Sequence, residues 1–399
     1  MKKITLAIIF AACFSGYSQT TAIPDPNFEQ ALIDLAIDTG VVNGLISTAD
    51  AAAVTGTLDV RGKSISNLTG IEAFTSITTL VIKDNALTSL DLSALTQLVI
   101  LEAAGNALTS VNVSGLTSLE RLIVQQNALT SIDLTGLTNL DYLYLGENNI
   151  TTLDVSDSPN IRRLYVNQNP NLGDFDVSNV ASLERFRLYG TAVTSLSIDL
   201  VNHLSLDHIY AFDCPNLATV DITNSGGTPV LKIVRFYNTA VASLDLSNVT
   251  SLTEVQIQDN ASLEEVNIKN GNNAALITYD STTTPNLTCI QVDDVADSTA
   301  RWTSIDAANM FSLDCFLSID DLNVFNYSFY PNSAENIVTL DLDRDATYEV
   351  TNINGQLLTK GKLTEGNNTI DVSEFTTGLH FINIRDNMGA YLSIKLVKK

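Results

Sequence analysis

Positive charge, histidine, cysteine and tryptophan are all scarce in this chain. Its 399 residues hold 21 Lys and Arg against 45 Asp and Glu, a formal net charge of −24. That balance disfavours nucleic acid and anionic membranes as general partners. It leaves room for a local basic patch. The three histidines, His203, His208 and His380, sit in no metal-ligand spacing. No G-x-S-x-G elbow, phosphate-binding loop or dinucleotide fingerprint is present. The chain is therefore read as a non-enzyme that needs no cofactor, with a hydrolase as the last-ranked alternative. Charged residues make up only 17% and hydrophobic ones 45%, a core-rich composition unlike that of a disordered chain.

The start of the chain reads as an export signal. Lys2 and Lys3 are its charged region and Ile4 to Ala12 its apolar run, too short to span a bilayer. Gly16 and Ser18 place the cut before Gln19. A second reading makes Cys13 in "FAAC" a lipidated cysteine. No later segment is apolar and long enough for a transmembrane helix, so the mature chain is expected to have none. Without Cys13, the cysteines are Cys214, Cys289 and Cys315.

Asn85, Asn106, Asn127, Asn148 and Asn169 recur every 21 residues. A period of this size signals a solenoid. Each unit reads L-x-x-L-x-L-x-x-N, as in "LERLIVQQN" (119–127), "LDYLYLGEN" (140–148) and "IRRLYVNQN" (161–169). The apolar frame persists where the spacing loosens, in "LERFRLYGT" (183–191), "LDHIYAFDC" (206–214), "LKIVRFYNT" (231–239) and "LTEVQIQDN" (252–260). The ladder position then becomes Thr191, Cys214, Thr239 and Asn260. A small donor is needed there to satisfy backbone carbonyls between coils. Cys214 is thus a ladder residue, which leaves Cys289 and Cys315 for each other.

Nine units in one frame resemble the leucine-rich repeat family in its short bacterial form, and the first, "SISNLTGIEAFTSITTLVIKDN" (64–85), is similar to internalins. The resemblance implies a mostly β solenoid. A parallel sheet would line its concave face, with strand and turn and little helix opposite. Terminal coils need caps. Asp25 and Pro26 open a helical cap with Phe28, Leu32 and Leu35 on one face. Residues 286–315 resemble the closing segment of secreted repeat proteins of the Bacteroidetes. There a Cys289–Cys315 bridge would staple the last strand, with Trp302 as a plug.

Residues 322–399 alternate in short runs broken by Asn-Gly and Gly-Asn-Asn turns, the pattern of a small antiparallel sandwich. "FYPNS", "NINGQLLTKG", "NNTIDVSEFTTGLHFINI" and the final "KLVKK" resemble the C-terminal sorting domain of type IX secretion cargo, with Ser333 where that family usually has Pro. This resemblance implies recognition by the type IX machinery, removal of the domain, and a place outside the outer membrane, secreted or on the cell surface. The expected organisation is a signal peptide (1–18), an N-terminal cap (19–54), the repeat solenoid (55–286), a C-terminal cap (287–316), and a linker with the sorting domain (317–399).

Asp91, Asp133, Asp154, Asp176, Asp221 and Asp245 recur in the "LDLS" segments and are expected to form a solvated row rather than a calcium site. No metal site is expected. The sheet's outward positions differ. Successive strand side chains point to opposite faces. The second, fourth and sixth residues after the first Leu or Ile of six units give eighteen outward sites. In order they are Arg121, Ile123 and Gln125; Tyr142, Tyr144 and Gly146; Arg163, Tyr165 and Asn167. The remaining rows are Arg185, Arg187 and Tyr189; His208, Tyr210 and Phe212; Ile233, Arg235 and Tyr237. Five of the chain's ten arginines and six of its twelve tyrosines are among them, and no Asp or Glu is. Chance placement would put about two carboxylates there. Ile100, Glu102 and Ala104 before, and Glu254, Gln256 and Gln258 after, mark edges. Tyr and Arg dominate binding hot spots. The expected ligand is an acidic protein or peptide, with an anionic polysaccharide as the alternative and adhesion as the setting.

Overall fold

The computed structural model describes residues 19–315, 327–386 and 391–399. The expected signal peptide, Cys13 and most of the expected linker lie outside these residues. The chain divides into two compact units, residues 1–313 and 314–399.

In the first unit, the L-x-L segments form one parallel sheet of twelve strands, from Gly56–Asp59 to Ser304–Ile305. The middle apolar residue of each strand pairs with its counterpart in the next. Leu122, Leu143, Leu164, Phe186, Ile209, Val234 and Val255 run in one register. All seven are buried. The loosened spacing does not disturb this line. The extra residues go to the opposite side, where Ser195–Asp199 and Thr219–Thr223 pair as five-residue strands. In the regular coils the corresponding strands Ser89–Asp91 and Ser110–Asn112 have three residues. The Asp row forms local turns as a solvated row would. Ser93 N–H donates to Asp91, Thr135 N–H to Asp133, Ser156 N–H to Asp154 and Ser178 N–H to Asp176.

The ladder side chains close each coil against the last. Asn148 Nδ2 donates to Val124 O and Leu145 O at 3.0 and 2.9 Å, and its Oδ1 accepts from Leu129 N–H at 3.0 Å. Asn169 repeats the pattern one coil on. Thr191 makes a single bond of this kind, Oγ1 to Leu188 O at 2.7 Å. Cys214, fully buried, directs its Sγ to the same carbonyl at 3.3 Å.

Asp25 caps the helix Pro26–Asp34, accepting from Asn27 N–H and Phe28 N–H. Its second oxygen accepts from Ser66 N–H, Ser66 Oγ and Asn67 N–H, tying the cap to the first coil. Burial alone would push this carboxyl up, but the donors outweigh it and hold it below its ordinary value. Phe28 and Leu32 are buried as expected, but Leu35 is 46% exposed. The helix ends at Asp34, so the helical spacing that would place Leu35 on the buried face no longer applies. At the other end Trp302 is buried, stacks on Tyr279 at 5.0 Å and donates from Nε1 to Leu276 O. Cys289 and Cys315 are disulfide-bonded.

The second unit has a three-stranded antiparallel sheet (Tyr327–Tyr330, Ile337–Leu342, Gly366–Asp371) and a five-stranded one. Val338, Leu340, Val350, Ile382 and Leu396 are among the core residues between them. One pairing departs from the antiparallel expectation: the short strand Ser333–Ala334 runs parallel to the last strand, Tyr391–Lys398.

Candidate ligand-binding face

Register alone brings the eighteen outward residues together. Arg163 lies between Tyr142 and Arg185, and Tyr165 between Tyr144 and Arg187. His208 and Tyr210 follow in the same columns. Strands about 4.8 Å apart spread the six rows over roughly 25 Å.

The aromatic residues form two clusters. Tyr142, Tyr144 and Tyr165 meet edge to face at 5.4 to 6.4 Å. Tyr144 folds over Gly146, where a Cβ would come within 2.6 Å of the ring, so glycine is required there by close approach. Further on, Tyr189, Phe212 and Tyr237 stack at 4.3 and 4.5 Å with nearly parallel rings. Burial raises the pKa of the Tyr142, Tyr144 and Tyr237 hydroxyls, so all three stay neutral at ordinary pH. Tyr165 is only 6% exposed. It supports its neighbours and offers a ligand little surface, a correction to the expected set of contacting residues.

The arginines separate into two kinds. Arg235 lies 2.7 Å from Glu254, and Arg185 lies 3.9 Å from Asp207, which also pairs with His208. Arg187 has no ion pair or side-chain hydrogen bond among the described residues, and its buried Nε is without a partner. Its guanidinium carbon sits 4.4 Å from the Tyr165 ring centre and 5.4 Å from that of Tyr210. Arg121 rests on Tyr142 at 5.2 Å. Arg121 and Arg163 likewise have no ion pair among the described residues.

The face is therefore less one-signed than alternation implies. Glu120, Asp141, Glu184 and Asp207 occupy the position just before the strands, one residue outside the alternating set. Asp141 and Glu184 hold Arg162, and Asp207 holds Arg185 and His208. Among the described residues, the outward arginines without an ion pair are Arg121, Arg163 and Arg187. The edge at Glu102 is also softer than expected, because a depression spans it, lined partly by Lys83 and Glu102. Among the described residues no cluster of His, Cys, Asp and Glu is set to hold a metal, and no helix is long and apolar enough to cross a membrane.

Comparison with known families finds a leucine-rich repeat over residues 117–170 and a secretion system C-terminal sorting domain over residues 328–399. No curated protein matches the chain. Similar solved structures include the functional domain of InlJ from Listeria monocytogenes, at 18% identity and a TM-score of 0.47, covering 96% of this chain and 99% of that one. An internalin from the same organism matches at 18% identity and a TM-score of 0.44, over 74% of this chain and all of that one. The chain carries leucine-rich repeats, matched over residues 117–170, and a C-terminal sorting domain that indicates type IX secretion to the cell surface or exterior.

Proposed function

We propose that the chain is a secreted or cell-surface binding protein that takes an acidic protein or peptide on the long-sheet face. Arg187 carries this reading. It is a cation held between two tyrosine rings with no acid partner among the described residues. Leaving such a group unpaired is costly, and a carboxylate supplied by a ligand would satisfy it. Tyr142, Tyr144, Tyr189, Tyr210, Phe212 and Tyr237 surround it with rigid amphipathic area, and Arg121, Arg163, Arg185, His208 and Arg235 extend it.

The alternative is an anionic polysaccharide. Sugar rings stack on aromatic faces, but Tyr189, Phe212 and Tyr237 use their faces on each other and leave mainly edges outward. That arrangement favours a protein ligand. An array of acidic peptides, matrix proteins and anionic glycans, probed with wild type and Arg187→Glu, tests the reading. The variant is expected to lose at least about tenfold in affinity for acidic peptides or proteins. Identical binding by the two proteins would sink it. Binding confined to glycans and falling steeply with salt would select the alternative.

A further inference from the structure

A depression of about 250 Å³ lies on the long-sheet face. Its floor is Ala104 and Ile123, and its wall is the pair of rings Tyr142 and Tyr144. Around the rim stand Lys83, Glu102, Arg121 and Gln125. Two cations thus face a single carboxylate, and neither Lys83 nor Arg121 has an ion pair among the described residues. The side-chain oxygen of Gln125 is buried with no hydrogen-bond partner. A buried acceptor of this kind calls for a donor.

We propose that this pocket takes the free carboxyl end of a peptide whose last residue is apolar, an inference that rests on the reading of the face as a peptide-binding surface. A chain-terminal residue presents three groups from one Cα. Its carboxylate meets Arg121 and Lys83, its amide N–H meets the Gln125 oxygen, and its side chain covers Ala104 and Ile123 against the tyrosine rings. An internal Asp or Glu matches this pocket less well, because its carboxylate occupies the side chain and leaves the apolar floor uncovered. The volume lies below the roughly 300–1,000 Å³ of pockets that hold drug-sized molecules. It suits one residue rather than a folded loop.

The minimal probe is N-acetyl-leucine, titrated into the purified full chain by calorimetry and followed by saturation-transfer NMR. N-acetyl-leucinamide removes the carboxylate, and the α-methylamide of N-acetyl-aspartate moves it to the side chain. N-acetyl-leucine is expected to bind at least about tenfold more tightly than either. Arg121→Gln should lower that affinity about tenfold, and Ala104→Phe, which fills the floor, should abolish it. Arg121 is exposed, so its variant keeps the test decisive if the filled floor disturbs folding. Equal binding of N-acetyl-leucine and its amide, or indifference to Arg121→Gln, overturns the proposal. If N-acetyl-leucine fails to bind while Arg187→Glu still abolishes capture of acidic peptides, the pocket assignment falls and the wider reading of the face stands.

Discussion

The coils from Leu119 to Asn169 and those from Leu183 to Thr239 share one sheet register but close their turns differently. In the first group each ladder Asn donates to three carbonyls and accepts from one N–H. In the second, Thr191 reaches one carbonyl, Leu188 O, Cys214 reaches that one and Phe212 O, and Thr239 reaches Phe236 O. Both groups bury their apolar frame equally well. The frame therefore sets the register, and the ladder residue contributes closure and stability. The loosened coils tolerate weaker closure, and they carry the unpaired Arg187 and the stacked rings of Tyr189, Phe212 and Tyr237.

The largest effect tests what the two groups share. Leu145 and Leu188 are both fully or almost fully buried, at 0% and 1% exposure. Leu145→Asp and Leu188→Asp each put an unpaired carboxylate in the core, and each should unfold the repeat unit. Trp302, the chain's single tryptophan, is buried in that unit and reports on it by fluorescence. Arg187→Ala, on the opposite side of the same strand, should leave the fold intact. A folded Leu188→Asp would show that the loosened coils do not belong to the common core.

The next effect tests how the groups differ. Asn148→Ala leaves Leu129 N–H without its partner, at about 1–3 kcal/mol for a buried group, and takes one of two Asn donors from Val124 O and from Leu145 O, which keep Asn127 and Asn169. A loss of about 2–3 kcal/mol is expected. Thr191→Ala removes one bond and should cost about 1 kcal/mol. Urea unfolding followed at Trp302 compares the two directly. Equal losses would mean that the number of ladder bonds does not matter.

Much of this was legible in the sequence because periodicity is a one-dimensional signal. The Asn spacing, the apolar frame and the small residues at Thr191 and Cys214 all translate directly into position. What was not legible depends on crowding between rows. Alternation puts Tyr165 outward, yet Tyr142, Tyr144 and Arg187 cover it. Alternation also omits the residue just before each strand, so Asp207 was absent from the count of acids although it reaches Arg185, and so was Glu184, which holds Arg162. Lys83 and Glu102 fell outside an edge drawn from composition, while the depression follows the small side chain of Ala104 across that edge. A count of every side chain within one residue of the strands would have found the acid column.

The smallest effect sharpens the comparison at its junction. Each coil turns through one left-handed residue after the outward positions. Gln126, Glu147 and Gln168 hold φ of 56, 56 and 55° in the regular coils, whereas Gly190 holds 68° in the first loosened one. A side-chain-bearing residue pays about 1–2 kcal/mol for this conformation, against roughly 0.5–1 kcal/mol for the greater unfolded-state freedom of glycine. Gln168→Gly should therefore raise stability by about 0.5 kcal/mol. Gly190→Gln should lower it by a similar amount or more, because a Cβ at Gly190 would also lie 3.4 Å from Gln168 Cα and Cγ. Opposite signs in the two urea midpoints would show that Gln168 carries this strain and the next coil has shed it at Gly190, as a regular coil does at Gly105, while Asp213 and Asn238 keep it in later coils. The same sign in both would place the difference between the coils in their ladders alone.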